Sequence, residues 1–155
     1  IVLILVYNSM NYTFFSLNNI KVYCKLPKEF LMTYPDNIIY SKDHIWLKLN
    51  GDSYILGITD FAQDLLGDIV YVEINKNSEF KKNQALGSIE SVKTASDIIA
   101  PENGKITLIN PEIESSPEKI NVDPFNIWIC RVEFMSEVEE NDFLSKDKYL
   151  DLIKT

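Results

Sequence analysis

The sequence predicts an all-β domain with short accessory helices, arranged as a β-sandwich or a closed barrel. Short runs rich in apolar and β-branched residues recur along the chain, and turn residues such as Asn50-Gly51 separate them. The helical patterns between these runs are short, and their apolar faces are sparse. With 155 residues, the chain is long enough to build one such domain with a sizeable core.

The first two predicted strands form a hairpin. In residues 40–49, the apolar side chains of Ile45, Leu47 and Leu49 alternate with a histidine, a tryptophan and a lysine, as in a half-buried strand. An Asn-Gly turn then leads into residues 54–58, a second apolar run. Asn-Gly between two such runs is a strong signal for a tight β-hairpin.

A short helix is predicted over residues 61–66. Thr59 or Asp60 stands in position to cap its N-terminus, and Gln63 follows Asp60 at capping-box spacing. Gly67 comes directly after the last apolar position, where a glycine commonly ends a helix. The helix therefore has both a start signal and a stop signal.

A second hairpin carries the lysine on which the functional prediction depends. Apolar, β-prone residues precede position 90 and follow position 97, and a turn at residues 101–104 closes the second run. Lys93 is therefore predicted at the hairpin tip. Small residues follow it, so little steric bulk separates its amine from an enzyme that acylates it. An ordinary solvated lysine is the alternative at any exposed turn.

The rest of the chain supplies further strands and marginal helices. The strands are predicted at residues 69–74, 105–109 and 127–134. A helical turn is predicted to begin at Ser116-Pro117 and to stop at Asp123-Pro124. One or two C-terminal helices follow, because Ser136 and Glu139 have capping-box spacing and Ser145 precedes a sparse apolar face.

The charge of the chain argues against a polyanionic partner. The formal net charge is -8, and residues 1–28 contain three lysines but no acidic residue. The remaining residues carry 12 of the 15 basic side chains and all 23 acidic ones, a formal charge of -11. A body this acidic repels phosphate backbones and anionic headgroups, so we expect neither nucleic acid nor membrane as a partner.

The residues for metal binding or nucleophilic catalysis are scarce. Cys24 and Cys130 have no metal-ligand spacing, and His44 is the only histidine. A Cys-His or Ser-His pair would need that histidine as its base. No glycine-rich phosphate loop occurs either. The sequence therefore predicts no metal site and no catalytic residue, which suits a carrier better than an enzyme.

Residues 1–34 are predicted to form an organelle-targeting leader. The apolar run of residues 1–6 is much shorter than the ~20 residues of a membrane span. A basic, hydroxyl-bearing and aromatic stretch without acids follows it, in the manner of a transit peptide. An N-terminal anchor or an extra strand is the alternative. The mitochondrial matrix is the predicted location, with a plastid-type organelle as the second choice.

Several stretches together resemble the H-protein family of the glycine cleavage system. In chain order they are Tyr40 with His44 and Trp46, residues 57–68, residues 90–97 with residues 100–104, and residues 121–125 with Trp128. Lipoyl domains of 2-oxoacid dehydrogenases usually have Asp before their lysine and Ala after it, and biotin carriers have Met on both sides. Val92 and Thr94 fit neither pattern.

This resemblance implies the fold and the modified residue. It implies that residues 35–155 form a single barrel-sandwich hybrid of the lipoyl/biotinyl type, with the lysine at a hairpin tip and a C-terminal helix or helix pair. It implies that Lys93 carries lipoate in amide linkage, supported by Glu90 and Asp97. It further implies a monomer that is not itself an enzyme.

The same resemblance implies a shuttle between enzymes. The lipoyl group on Lys93 would accept the aminomethyl group from a PLP-dependent glycine decarboxylase and present it to an aminomethyltransferase that uses tetrahydrofolate. Dihydrolipoyl dehydrogenase, a flavin enzyme that uses NAD, would then reoxidise the dithiol, and lipoylating enzymes would load the lysine. Two alternatives stay open: an octanoyl or lipoyl relay that supplies 2-oxoacid dehydrogenases, and an unmodified binding module.

One departure from the family pattern bears on the loaded arm. H-proteins usually have Glu between the opening His and Trp, where this chain has Ile45. An acidic residue there suits the amine of the carried group, which Ile45 cannot bind. Asp97 or Asp43 is a candidate to take its place. A second departure is the absence of the usual glycines between Phe125 and Trp128, which concerns one loop.

Overall fold

The computed structural model describes residues 6–8, 12–17, 20–25, 33–76, 79–138 and 142–154, with the backbone alone described through residue 25. The chain divides into two units, residues 1–34 and residues 35–155. In the first unit, β1 (Val6–Asn8), β2 (Tyr12–Leu17) and β3 (Ile20–Lys25) form an antiparallel sheet in that order. That these residues are a leader stays a prediction.

The second unit consists of short strands with four short helices among its described residues. Its strands are β4 (Ile39–Tyr40), β5 (Ile45–Asn50), β6 (Ser53–Ile58), β7 (Ile69–Ile74), β8 (Glu79–Phe80), β9 (Ala85–Ser91), β10 (Ala95–Ile99), β11 (Gly104–Ile109) and β12 (Cys130–Phe134). Its helices are α1 (Asp60–Leu66), α2 (Pro111–Ser115), α3 (Lys119–Val122) and α4 (Lys146–Ile153). The predicted all-β class with accessory helices is confirmed.

Two antiparallel sheets build this unit as an open sandwich. One sheet has the order β4-β5-β6-β12-β11-β8, and the other has the order β10-β9-β7. Side chains from both sheets form a single hydrophobic cluster, which includes Ile45 and Val132 of the larger sheet and Ile69, Ile89 and Ile98 of the smaller one. Burial of this apolar surface between the sheets is the main favourable term for such a fold.

A β-bulge shifts the alternation of buried and exposed side chains within β7. Its register against β9 shifts between Ile69 and Tyr71, so Val70 is the extra residue. Ile69 and Val72 are both buried, while Val70 is 54% exposed. The bulge therefore places Val70 and Tyr71 outside together and lets Ile69 and Val72, three residues apart, both face the core.

The predicted alternation in β5 is wrong. Trp46 is buried at 1% exposure, although it was placed on the outer face, and Leu49 is 63% exposed. Trp46 lies opposite Gly57 in the β5–β6 pair, and its Nε1 donates a hydrogen bond of 2.9 Å to the Pro124 carbonyl. The missing side chain at Gly57 and the buried acceptor allow the indole to be covered on this face.

The predicted helix signals are confirmed in part. Thr59, not Asp60, is the N-cap of α1, because its Oγ1 accepts a hydrogen bond from the amide of Ala62. Gln63 does not complete a capping box, since its Nε2 donates to the side chain of Asp60 at 2.6 Å. Gly67 ends the helix as predicted, with its amide bonded to the carbonyl of Gln63.

The segment between β11 and β12 differs from the prediction. Helix α2 was missed, although Asn110 caps it and Pro111 occupies its first turn. Ser116 makes no side-chain cap for α3, and only its carbonyl accepts from Lys119. Strand β12 begins at Cys130, later than predicted, because residues 123–127 form a turn in which the amide of Ile127 donates to Asp123.

The C-terminal region holds one described helix, α4, which follows Ser145 as predicted. Ser145 occupies the N-cap position but makes no side-chain cap hydrogen bond. Residues 136–138 are not helical, and Glu139 lies outside the described residues. Strand β8 was also missed, since two residues carry too little pattern to be recognised. Across the described part of the chain, no helix is both long enough and apolar enough to cross a membrane.

Gly57→Ala should destabilise the fold, because an ideal Cβ there would stand 2.5 Å from Cζ2 of Trp46. We expect a loss of about 1–3 kcal/mol in the free energy of unfolding, measured by urea denaturation. In a Trp46→Phe background the smaller ring leaves room, so the cost of Gly57→Ala should fall. An equal cost in both backgrounds would show that the indole is not the obstacle.

Candidate functional site

Lys93 lies at the exposed tip of the β9–β10 hairpin, as predicted. The pair Ala95–Glu90 is the last in the register before the turn. Ser91 organises this turn: its Oγ accepts hydrogen bonds from the amides of Lys93 and Thr94, at 3.3 and 3.1 Å, and its amide donates to the Thr94 carbonyl at 2.8 Å. The backbone of the tip is therefore ordered, while the lysine side chain remains accessible.

The side chain of Lys93 lies over Gly67. An ideal Cβ at Gly67 would stand 3.1 Å from Cε of Lys93 and 3.5 Å from its Nζ. Gly67 has φ +83° and ψ -151°, a conformation that is essentially confined to glycine. Glycine is therefore suited to this position for two reasons, its backbone conformation and the lysine stem above it. The open surface at Gly67 leaves room for a long, acylated lysine side chain that starts at Lys93.

The hairpin tip is tied to the α1–β7 junction, residues 67–69. The amide of Val92 donates a hydrogen bond of 3.0 Å to the carbonyl of Asp68. Asn121 of α3 holds the same junction, with hydrogen bonds to the Gly67 carbonyl and from the Ile69 amide, both of 2.9 Å. Residues 121–125 were predicted only as part of a family motif, and this contact was missed because no local sequence pattern reveals it.

A small cleft opens beside the hairpin. Its volume is about 140 Å³, and the residues that line it include Ile45, Ile58, Ile89 and Ile98 together with Asp43 and Asp97. Pockets for free small molecules usually have at least ~300 Å³. The size therefore suits the end of a tethered arm better than a free ligand. Two acidic groups above an apolar floor favour a cation with a short apolar body.

Ile45 belongs to the floor of this cleft and is buried in the core at 2% exposure. A glutamate at this position would have to take its carboxylate out of water or displace the strand. The cleft contains both of the acidic residues that the sequence analysis named as substitutes, Asp43 and Asp97. The departure at position 45 therefore leaves the cleft with two carboxylates.

Glu90 and Asp97 occupy different surroundings, although they were predicted to support Lys93 together. Asp97 lines the cleft, whereas Glu90 is an exposed strand residue that is not part of its lining. In the registers of its two neighbours, Glu90 lies opposite Ala95 and Tyr71. The lining of the cleft therefore includes Asp97 but not Glu90, although the strand register puts both residues on the same face of the hairpin.

His44 connects the cleft to the C-terminal helix. Its Nδ1 and the Oγ1 of Thr59 each lie 2.8 Å from the hydroxyl of Tyr149, which is fully buried and stacks on Tyr40. His44 has φ +62° and packs against Phe61. Burial lowers the pKa of His44, and the nearby Asp43 opposes this shift only in part. The ring is therefore held as neutral imidazole at pH 7.

Other features of the described residues offer no competing site. Burial raises the pKa of the Cys130 thiol to about 12, so it is a poor nucleophile. A larger groove of about 530 Å³ includes Leu49, Tyr54 and Phe143, but none of its lining residues belongs to the hairpin. No group of three or more His, Cys, Asp or Glu residues in the described part of the chain could hold a metal ion.

Comparison with known proteins places these features in a family. The family model described as Glycine cleavage H-protein matches residues 38–155. The glycine cleavage system H protein of Listeria monocytogenes serotype 4a (strain HCC23) is 44% identical over 120 residues, covering 76% of this chain and 96% of its own. That of Staphylococcus carnosus (strain TM300) is 41% identical over 124 residues, covering 79% and 98%.

A solved structure agrees with these relatives. The crystal structure of a glycine cleavage system H protein from Mycobacterium marinum superimposes with a TM-score of 0.71 at 29% sequence identity. The match covers 79% of this chain and 100% of that one. The fold of this chain therefore resembles that of a solved glycine cleavage system H protein.

His44→Asn should reduce the loss of stability on acidification. Because the folded state lowers the pKa of His44, the unfolded chain takes up the proton first, and stability falls as pH drops from the ordinary histidine value of about 6.5 toward the lowered one. Asn tolerates the positive φ and does not titrate. The melting temperature of the wild type should therefore fall more than that of the variant between about pH 7.5 and about pH 5.5. Parallel curves would contradict this role.

Proposed function

The chain belongs to the glycine cleavage H-protein family, and we propose that Lys93 is the lysine to which its lipoate is attached. Members of this family carry lipoate covalently on a lysine. The observation that carries the proposal is the exposed position of Lys93 at the tip of an ordered hairpin, over a glycine that leaves room for its stem. The assignment of the lipoate to Lys93 rests on this geometry.

The protein is the lipoyl-carrying shuttle of the glycine cleavage system. The relatives reported above are all described by that system, which favours the shuttle over the lipoyl relay. When attached, lipoate supplies the sulfur that accepts the aminomethyl group. A tether of this kind keeps the reacting sulfur at high effective concentration near each partner's site.

The residues of this chain position the arm and shelter its end. The Ser91 turn and Gly67 present Lys93 to the attaching enzyme without steric obstruction. Asp43 and Asp97 bind the protonated amine of the carried group at the rim of the cleft, while the isoleucine floor covers its apolar part. Glu90, outside the cleft, is recognised by the lipoylating enzymes. Each carboxylate thus serves a different step.

The chain acts without catalysing a step itself, as a carrier component of the glycine cleavage system. Its partners in this proposal are the glycine decarboxylase, the aminomethyltransferase, dihydrolipoyl dehydrogenase and the lipoylating enzymes, and it works as a monomer. The acidic surface of the second unit favours basic docking faces on these partners. In this proposal the chemistry at the sulfur takes place in the partners' sites.

The location in the mitochondrial matrix, with a plastid-type organelle as the alternative, remains a proposal that rests on residues 1–34. The relatives reported above are bacterial and lend it no support. The composition of residues 1–28, basic and without acidic side chains, is the observation in its favour.

Lys93→Arg should abolish lipoate attachment and leave the fold intact. Arginine keeps the charge but cannot form the amide, and an exposed position changes the free energy of unfolding by only about 0.5 kcal/mol or less. Intact-mass measurement after incubation with a lipoate ligase checks attachment, and Lys48→Arg, at an exposed lysine within β5, is the control. Attachment to the Lys93→Arg variant at another lysine would overturn the assignment.

Asp97→Asn and Glu90→Gln should distinguish protection of the carried aminomethyl group from recognition by the lipoylating enzymes. Asp97→Asn removes a partly screened ion pair, so ammonia release from the purified, aminomethyl-loaded protein should rise a few-fold, the equivalent of ~1 kcal/mol or less. Glu90→Gln should leave that release unchanged and slow lipoate attachment instead. Asp43→Asn tests the second carboxylate of the cleft. Faster release from Glu90→Gln, or unchanged release from both aspartate variants, would contradict the assignment of these roles.

A further inference from the structure

We infer that Asn121 is a positioning residue for Lys93, acting through the α1–β7 junction on which the lysine hairpin rests. The inference builds on the proposed function, because it matters only if Lys93 is the residue that partner enzymes must engage. Asn121 lies on α3, a four-residue helix that contributes no residue to the hairpin. Its influence on Lys93 is therefore indirect, and it is carried by hydrogen bonds.

The side chain of Asn121 makes three hydrogen bonds to α1 and the junction. Its Nδ2 donates to Oε1 of Gln63 at 2.8 Å and to the carbonyl of Gly67 at 2.9 Å. Its Oδ1 accepts from the amide of Ile69 at 2.9 Å. Both amide hydrogens and the carbonyl oxygen are used, so the side chain has one defined orientation. Gln63 is itself held, because its Nε2 donates to the buried Asp60.

The hydrogen bonds of Asn121 to Gly67 and Ile69 hold two consecutive peptide units of the junction. The carbonyl of Gly67 belongs to the peptide bond before Asp68, and the amide of Ile69 belongs to the one after it. The second of these units is the one whose carbonyl, on Asp68, accepts the amide of Val92. One planar peptide group therefore joins Asn121 to the hairpin tip, and hydrogen bonds at its two ends reinforce each other.

The same hydrogen bonds fix the position of Gly67, which lies under the side chain of Lys93. Gly67 has a backbone conformation that is costly to hold, and its Cα faces the Cε of Lys93. If Asn121 is removed, the Gly67 carbonyl and the Ile69 amide lose their side-chain partner, and this junction is free to adopt other conformations. The Val92 bond then loses its fixed acceptor, and Lys93 samples a wider range of positions.

Asn110 provides a matched comparison within the same protein. It is buried, its Nδ2 donates to the Trp128 carbonyl at 2.7 Å, and its Oδ1 accepts from the Glu112 amide at 3.0 Å. It caps α2, and none of its hydrogen-bond partners lies in the hairpin or the junction. Loss of Asn110 should therefore lower global stability without changing the presentation of Lys93.

The test compares Asn121→Ala with Asn110→Ala in the full chain. Two quantities are measured: the rate of lipoate attachment to Lys93 by an ATP-dependent lipoate ligase, followed by intact mass, and the hydrogen exchange of the Val92 amide by NMR. For Asn121→Ala we expect attachment to fall about five- to tenfold and Val92 exchange to rise about tenfold, since anchoring hydrogen bonds of ordinary strength are lost. For Asn110→Ala we expect both to match the wild type under conditions where the protein is folded.

Asn121→Asp serves as the second variant in case the alanine protein does not fold. It keeps the size of the side chain and the acceptor for Ile69, but its second carboxylate oxygen faces the Gln63 Oε1 and the Gly67 carbonyl, to which Asn121 donates. Because three acceptors cannot pair with one another, attachment should slow at least as much as in Asn121→Ala. Wild-type attachment and wild-type Val92 exchange in the folded Asn121 variants would overturn the inference, as would an equal slowing in Asn110→Ala. If the wild type is not modified at Lys93 at all, the proposed function fails, while Val92 exchange still decides whether Asn121 holds the tip.

Discussion

The β9–β10 hairpin packs its base into the core and exposes its tip to solvent. The backbone hydrogen bond from the Val92 amide to the Asp68 carbonyl connects the tip to the body of the domain. Below it, Ile89 and Ile98 are buried in the cluster between the sheets. Above it, Lys93 stands in solvent on a turn held by Ser91. Without this hydrogen bond, the amide of Val92 would not hold the hairpin tip to residues 67–69. With it, the side chain of Lys93, the proposed attachment point for lipoate, leaves the surface from a defined position.

The fold was largely predictable from local pattern, and the exceptions have physical causes. The hairpins at Asn50-Gly51 and at Lys93, and the cap at Thr59, follow from turn chemistry and propensity within a few residues. Trp46 was placed on the wrong face because its burial depends on Gly57 of the next strand and on the distant Pro124 carbonyl. Such contacts are tertiary, and the alternation of a single strand does not contain them.

The candidate site shows the same division between local and distant information. Lys93 was found because a hairpin tip and a family motif lie in one continuous stretch. The contact of its stem with Gly67, and the hydrogen bonds of Asn121 to the junction, join segments that are more than twenty residues apart in the sequence. The separation of Glu90 from Asp97 was equally hidden. Both flank the lysine in sequence, yet only Asp97 lines the cleft.

The proposed preference of the cleft for a cationic group rests on electrostatics. Asp43 and Asp97 supply negative charge at the rim, while burial lowers the pKa of His44 so that it adds no opposing charge at neutral pH. The isoleucines in the lining form an apolar surface, and the proposed attraction between a cation and the aspartates is stronger where such a surface excludes water. Ile45 is thus part of the floor of the cleft, and the carboxylates that act there come from residues beside it.

The central claim, that Lys93 carries the lipoyl group of this shuttle, is tested most directly by peptide mapping of the protein purified from its native source. Proteolysis followed by tandem mass spectrometry should find the mass of one lipoyl group on the peptide that contains Lys93 and on no other lysine. An unmodified Lys93 in protein that carries lipoate elsewhere, or in protein that carries none while glycine cleavage is active, would contradict the account.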